Sequence, residues 1–115
     1  MLRRKHKSAG LSRRNYAPVF AALGDETRLA LMGKLSGGEP RSISQLTAGT
    51  RLTRQAVTKH LRVLEGVGLV RAVRAGRESR FEFRPEPVDG LRQYLDRVSA
   101  QWDQALGRLK ALVEK

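Results

Sequence analysis

A predicted helix that begins after Thr53 carries long polar side chains opposite its apolar face. Val57, Leu61 and Leu64 recur at helical spacing and are expected to be buried. In the major groove of DNA, arginine pairs with guanine and glutamine with adenine, and threonine bonds to a base or a phosphate. The pattern therefore predicts hydrogen bonding to base edges and phosphates by the polar face, whose residues are Thr53, Arg54, Gln55, Thr58, Lys59 and Arg62.

Residues that make or break covalent bonds are scarce in this chain. It has no cysteine, which excludes disulfides, thiolate metal sites and a cysteine nucleophile. Its two histidines, His6 and His60, are far apart in the sequence, and no Ser-His-Asp or phosphate-loop pattern is present. The sequence therefore predicts a protein that is not an enzyme and has no cofactor. His60 is expected to pack locally or to touch a phosphate.

The net charge is large and unevenly distributed. The chain of 115 residues has a formal net charge of +12, and such a field attracts polyanions such as nucleic acid or an anionic membrane. Residues 1–14 hold six basic residues and no acidic one, residues 51–80 have a balance of +6, and residues 86–115 are neutral. We expect residues 1–14 to be a disordered basic arm and residues 15–115 to be one domain.

Two observations bear on where the protein works. No apolar run approaches the roughly 18 residues that a membrane-spanning helix needs. The basic start, MLRRKHKSAG, leads into no apolar segment and so lacks the pattern of a secretory signal. The sequence therefore predicts a cytoplasmic protein with no membrane partner.

The spacing of apolar residues predicts five helices and one hairpin. A four-residue turn that contains glycine joins the short helix SISQLTAGT to the helix after Thr53, which is typical of a helix-turn-helix. In GLVRAVRAGRESRFEFRPEP the period changes to two, which predicts a two-stranded hairpin. The predicted fold class is mainly α with a β-hairpin wing, a winged helix-turn-helix. Arg74 and Arg77 at the hairpin tip and Ser42 at the start of the short helix complete the predicted DNA contacts.

The C-terminal segment, residues 87–115, carries a long apolar seam with heptad-like spacing. As one helix it would reach roughly 43 Å, which is more than a domain of this size can cover. Part of the seam is expected to pack on its own domain. The rest, together with the first helix, is expected to pair with a second copy, which would place two reading helices ~34 Å apart and predicts an inverted-repeat operator. The residues assigned to this dimer interface are Val19, Leu23, Leu91, Leu95, Val98, Trp102 and Leu109.

Three segments, FAALGDETRLALMGKL, LTRQAVTKHLRVLEGVGLV and RAGRESRFEF, resemble the ArsR family of bacterial winged-helix transcriptional repressors. The resemblance covers roughly residues 15–113 and implies a homodimeric DNA-binding repressor, often one that is tuned by a metal. Metal-sensing members carry a Cys-containing motif before the recognition helix, or an Asp/His and His/Glu set on the last helix.

This chain departs from both metal-sensing patterns. It has SISQLTAGT before the recognition helix and no histidine on the last helix. Asp89, Asp96 and Asp103 would lie about 10 Å apart along that helix, which is too far to share one ion. The resemblance is therefore to the metal-independent branch of the family, and no metal is expected.

Two DNA-binding functions of different kinds remain open at this point. The first is a sequence-specific homodimeric repressor, with its own operon as a possible target. The second is a non-specific architectural nucleic-acid binder whose main anchor is the basic arm. The mixture of base-reading residue types on the polar face favours the first.

Overall fold

The computed structural model describes residues 13–114, with side chains from residue 16 onward. Residues 1–12 of the predicted arm lie outside the described residues, and the first helix begins at Arg13, two residues inside that arm. Within residues 13–114 the five predicted helices and the predicted hairpin are confirmed. The elements in chain order are α1 (Arg13–Leu23), α2 (Glu26–Leu35), β1 (Arg41–Ser42), α3 (Ile43–Thr47), α4 (Arg54–Gly66), β2 (Val70–Ala75), β3 (Glu78–Phe83) and α5 (Glu86–Val113).

The sheet has three strands in the described part of the chain, in the order β1-β3-β2, although the sequence predicts only two. β2 and β3 form the expected antiparallel hairpin. The additional strand, β1, pairs antiparallel with β3, so that Arg41 lies opposite Phe81 and Ser42 lies opposite Arg80. β1 has two residues, which is too short a run to show an alternating pattern. The sequence pattern therefore predicted the hairpin but did not reveal this third strand.

The core lies between the helices and the inner face of the sheet. Val57, Leu61 and Leu64 of α4 are completely buried, as their spacing predicts. Phe81 from the central strand is the largest of the fully buried side chains. Because most of one face of α4 contributes to this core, the orientation of the helix is determined by apolar packing and its opposite face is left in solvent. The other fully buried side chains are Leu35, Leu46, Leu69 and Val70.

The two ends of α5 differ in burial. Leu91 near its start is 5% exposed and belongs to the core, and Val19 on α1 is 8% exposed and belongs to the same core. These two residues therefore have little surface left for a partner, and the predicted dimer interface loses them. Farther along the helix the apolar side chains are exposed, with Trp102 at 63% and Leu112 at 68%. The heptad-like spacing identified the apolar side of α5, but it could not show where that side leaves its own domain.

Within residues 13–114 no helix is both long enough and apolar enough to cross a membrane.

Candidate nucleic-acid interface

The start of the recognition helix α4 is held by a cap and a tight turn. The Thr53 side chain accepts a hydrogen bond from the backbone N–H of Ala56 (3.0 Å), so Thr53 is the N-cap of the helix that is predicted to begin after it. Before it, Gly49 adopts a positive φ of 79°, which side-chain-bearing residues rarely adopt. The backbone N–H of Leu52 then donates to the Thr50 hydroxyl (3.2 Å). These local contacts order the connection between α3 and α4 and define where the first turn of α4 begins.

Four polar side chains from the first two turns of α4 line one groove beside α3. Arg54, Gln55 and Lys59 are exposed, and Thr58 is half-buried. Together with Ile43 of α3 they line an open groove. We call Arg54, Gln55, Thr58 and Lys59 the reading face. The side chains offer cationic, amide and hydroxyl groups within one groove, which is the mixture needed for contacts to both phosphates and base edges.

The tip of the wing places a further arginine, Arg77, near this groove. Ala75 pairs with Glu78, which leaves Gly76 and Arg77 as a two-residue turn. Gly76 has a φ of 70° and no other residue in that turn has a positive φ, which matches a turn with glycine at its first central position. Arg77 and Arg54 line one cleft between the wing and the recognition helix. The hairpin tip and α4 therefore present one continuous surface.

The basic residues of this surface differ in whether an acidic side chain holds them. Among the described residues, no acidic side chain forms an ion pair with Arg54, Lys59, Arg74 or Arg77. These four side chains can therefore contact phosphates without first breaking an ion pair. The paired arginines of the wing, by contrast, are Arg71 with Glu82 and Arg80 with Glu78.

Arg62 differs from the other basic residues predicted to contact DNA because it already has partners within its own chain. Its Nη1 lies 2.7 Å from Glu65 Oε1, and its guanidinium carbon lies 5.6 Å from the centre of the Phe81 ring. A phosphate contact from Arg62 would have to replace the Glu65 pair. Exposed pairs of this kind are weak, about 0–1 kcal/mol, so Arg62 remains a candidate but ranks below Arg54 and Lys59.

Ser42, which was predicted to contact DNA, is buried and caps α3. It is 4% exposed, and its hydroxyl oxygen accepts a hydrogen bond from the backbone N–H of Gln45 (3.1 Å). The Gln45 side chain in turn accepts from the backbone N–H of Ser42 (2.8 Å), which completes a capping box. Because its hydroxyl is buried and engaged in the cap, Ser42 is removed from the residues we assign to DNA contact.

His60 packs against α2, which agrees with the local role expected for it. Its Nδ1 lies 3.1 Å from Nη1 of Arg28 and 3.9 Å from Oδ2 of Asp25. The hydrogen bond from the backbone N–H of Arg28, with smaller contributions from the charges of Arg28 and His60, lowers the pKa of Asp25 from its usual value. Sequence reasoning missed Arg28, since nothing in the sequence relates it to a histidine 32 residues away.

Within residues 13–114 no group of three or more His, Cys, Asp or Glu side chains could hold a metal ion.

A helix-turn-helix whose second helix presents a polar face, followed by a basic wing, defines the class of winged helix-turn-helix DNA-binding proteins. A family model described as "Helix-turn-helix domain" matches residues 23–73. The chain is 37% identical over 83 residues to the HTH-type transcriptional regulator YuzN of Bacillus subtilis (strain 168), a match that covers 67% of this chain and 90% of that protein.

Solved structures agree with this class. The ArsR-like transcriptional regulator from Rhodococcus sp. RHA1 is 37% identical, with a TM-score of 0.74 over 86% of this chain and 92% of that one. A homodimeric winged helix-turn-helix DNA-binding domain from Mycobacterium bovis shares the fold, with a TM-score of 0.61, at 22% identity over 91% of this chain and 92% of that one. The chain belongs to the ArsR-like family of DNA-binding transcriptional regulators.

Proposed function

We propose that this regulator is a homodimeric, sequence-specific repressor that binds an inverted-repeat operator. The observation that carries the proposal is the reading face: Arg54, Gln55, Thr58 and Lys59 line one exposed groove at the start of a recognition helix whose other face is locked into the core. A helix in this position enters the major groove with its N-terminal residues against the base edges.

The reading face and the wing have different tasks in this proposal. Arg54 and Gln55 supply sequence preference, because arginine and glutamine each make two-pronged hydrogen bonds to one kind of base. Lys59 and Arg62 contact phosphates beside them. Arg74 and Arg77 extend from the wing to the flanking backbone or minor groove, where they add affinity that is independent of sequence.

The homodimer is supported by an apolar stripe on α5 that its own domain leaves uncovered. A tryptophan buries on the order of 200 Å² when it is covered, and Trp102 is 63% exposed. The half-buried residues Val98 and Leu23 extend the stripe toward the core. The M. bovis domain of the same fold is described as homodimeric. We define the apolar stripe as Leu95, Trp102, Leu106, Leu109, Leu112 and Val113.

Repression follows from occupancy in this proposal. A dimer that covers two half-sites about one helical turn apart prevents other proteins from binding the same stretch of DNA. Its own operon is one candidate target. A regulator of this kind works where the chromosome is, so we assign it to the cytoplasm. We expect it to act without a metal or other cofactor and without enzymatic activity.

Selection of bound duplexes from random DNA tests the proposal, and sedimentation tests the dimer. The expected result is an inverted-repeat consensus that relaxes at defined positions when Arg54 or Gln55 is changed to alanine. Recovery of no consensus, together with sedimentation as a 12.9 kDa species, would overturn both parts of the proposal.

The alternative is a non-specific architectural binder that uses the basic arm as its main anchor. The two functions differ in their response to competing genomic DNA at about 0.15 M salt, where a repressor keeps a specificity ratio of roughly 10³ or more. A ratio near one would favour the architectural function. Removal of residues 1–12 would then abolish most of the binding, whereas a repressor would retain its sequence preference.

A further inference from the structure

Arg28 connects three segments of the domain. Its Nε donates to the carbonyl oxygen of Ala22 near the end of α1 (2.6 Å), and its Nη1 lies 3.1 Å from Nδ1 of His60 on the recognition helix. Its backbone N–H donates to the Asp25 carboxylate, which caps α2 (3.0 Å). One residue therefore links α1, the start of α2 and the middle of α4.

The link extends to the C-terminal helix through α1. The ring centroids of Tyr16 and Phe20 on α1 lie 5.0 Å and 6.1 Å from that of Tyr94 on α5. In the proposed function the second subunit attaches to α5 and DNA attaches to α4. The contact between Arg28 and His60 therefore bridges the part of the domain that holds the partner and the part that holds DNA.

His60 does not belong to the reading face. Its side chain is 25% exposed and contacts α2, whereas the groove beside α3 is lined by other residues of α4. A change at His60 therefore reaches DNA through the orientation of α4 and not through a lost contact to the duplex.

The hydrogen-bonding chemistry of the contact makes it sensitive to one proton. An arginine guanidinium has only donors, so His60 Nδ1 must be unprotonated in order to accept from it. Protonation converts Nδ1 into a donor, removes this hydrogen bond and sets two cations against each other. The Asp25 carboxylate, 3.9 Å away, is then the available partner for the imidazolium.

The other charged groups near His60 do not alter this exchange of partners. α4 packs against α1, α2, α3 and β2. In α1, residues 16–23 carry no charge, and Tyr16 is their one titratable group; α3 carries no charged residue. Arg71 on β2 is paired with Glu82, and Lys34 on α2 donates to the carbonyl oxygen of Leu46. Among the described residues, no ion pair or hydrogen bond joins the imidazole to Glu26 on α2, Lys59 on α4 or Arg74 on β2. The charged groups in contact with it are therefore Arg28 of α2 and Asp25, the N-cap residue of α2.

We propose that Arg28 and His60 are a positioning pair that sets the final angle of a recognition helix already packed on the core, and that protonation of His60 exchanges Arg28 for Asp25 as its partner, changes that angle and weakens DNA binding. The proposal rests on the proposed function, because it concerns the affinity of the same reading face for DNA. Neither residue contacts the duplex.

The pH profile of DNA binding tests the proton-sensitive part. Asparagine carries its amide oxygen where histidine carries Nδ1, so His60→Asn keeps an acceptor for Arg28 and does not titrate. Dissociation constants are measured for the full-length wild type and His60→Asn on the duplex that the wild type selects from random DNA, at about pH 8 and about pH 5.5. His6 and the DNA phosphates are the same in both measurements. Their contributions to pH dependence therefore cancel in the ratio of the wild-type dissociation constant to that of the variant.

The expected ratio is near one at about pH 8 and about ten at about pH 5.5, which is the loss of one charge-assisted hydrogen bond. A ratio that stays constant between the two pH values would overturn the proton-sensitive part. If the wild type shows no preference for any duplex at either pH, the failure is that of the proposed function.

A double-mutant cycle tests the pairing itself. Arg28→Lys keeps the charge but loses the fork that bonds Ala22 and His60 together, and His60→Leu removes the acceptor. At about pH 8 His60→Leu is expected to weaken operator binding about tenfold, and Arg28→Lys at least as much because it also loses the bond to Ala22. The double variant should bind no more weakly than Arg28→Lys alone, because either change already breaks the contact between Arg28 and His60. A loss in the double variant equal to the product of the two single effects would contradict the pairing.

The cycle also separates positioning from loss of fold. Circular dichroism and sedimentation should show that the three variants keep the wild-type helix content and dimer. If either single variant unfolds, the comparison of wild type with His60→Asn still decides the proposal. Equal affinity of all variants and wild type would show that neither residue positions α4.

Discussion

The reading face of α4 and the apolar stripe of α5 are both exposed helix surfaces, but they differ in chemistry. The reading face has hydrogen-bonding and cationic side chains, and its helix is held by apolar packing on the opposite side. The apolar stripe has leucine, valine and tryptophan side chains that a single chain leaves in water. Exposure alone does not distinguish the two surfaces. Their side-chain chemistry does, since one suits a polyanion and the other suits a second apolar surface.

The largest effect is expected from a charge placed in the apolar stripe. Trp102→Glu should separate the proposed dimer, because it puts a carboxylate where the two apolar surfaces of that dimer would meet. Since linkage of two binding modules raises avidity by roughly 10²–10⁴, operator affinity should fall by at least about a hundredfold. Sedimentation and fluorescence anisotropy measure the two effects. Gln104→Glu, on another side of the same exposed helix, is the matched control and should leave both unchanged.

Alanine substitutions in the reading face should have the next largest effect. Arg54→Ala and Gln55→Ala are each expected to weaken operator binding by about 1–3 kcal/mol. Gln55→Ala should leave binding to unrelated duplexes unchanged, because an uncharged side chain contributes to preference and not to general attraction. Arg92→Ala, which removes one exposed charge from α5, is the control for Arg54→Ala. Loss of affinity without any change in the selected consensus would remove these residues from base recognition.

The wing should show a smaller and less selective effect. Arg77→Ala removes one unpaired cation from the hairpin tip, so binding should weaken for operator and unrelated duplexes alike. If each subunit of the dimer neutralises about four phosphates, the slope of log K against log salt is near −7, and one fewer contact per subunit makes it shallower by roughly 2. An unchanged slope would show that the wing tip does not touch the backbone.

The smallest effect on DNA binding is expected from substitution of Ser42. This test separates a residue that caps a helix from the residues that contact DNA. Ser42→Ala should lower the free energy of unfolding by about 1 kcal/mol through loss of the cap, while operator affinity at a temperature well below unfolding stays the same. Ser44 is exposed and lies two residues after Ser42. Ser44→Ala should change the free energy of unfolding by less than about 0.5 kcal/mol. Denaturant titration measures both. A selective loss of DNA binding in Ser42→Ala would return this residue to the interface.

Sequence reasoning succeeded where one local pattern decides the structure. The spacing of Val57, Leu61 and Leu64 identified the buried face of α4, and the alternation around Phe81 identified the wing. It placed the start of α4 directly after Thr53, where the cap depends only on Thr53 and the next three residues.

Sequence reasoning failed where the outcome depends on distant segments. The strand β1 exists because β3, almost forty residues later, has a free edge at Phe81 and Arg80. Ser42 is a polar residue that is buried where β1 pairs with β3. The contact between Arg28 and His60 depends on how α2 packs on α4, which no spacing in either helix reveals.

The short strand β1 has a mechanical consequence for the protein's fit to its target. α3 begins at Ile43, the residue after β1, and β1 is hydrogen-bonded to the central strand of the wing. Because β1 joins them, bending of the hairpin would also move α3, the helix that supports α4. The distance between the hairpin tip and the recognition helix is therefore fixed within each subunit. In the proposed dimer, tolerance for operators of different length must then come from the joint between the two subunits, so variants selected to accept an altered half-site separation should carry their changes in α5 and not in the wing.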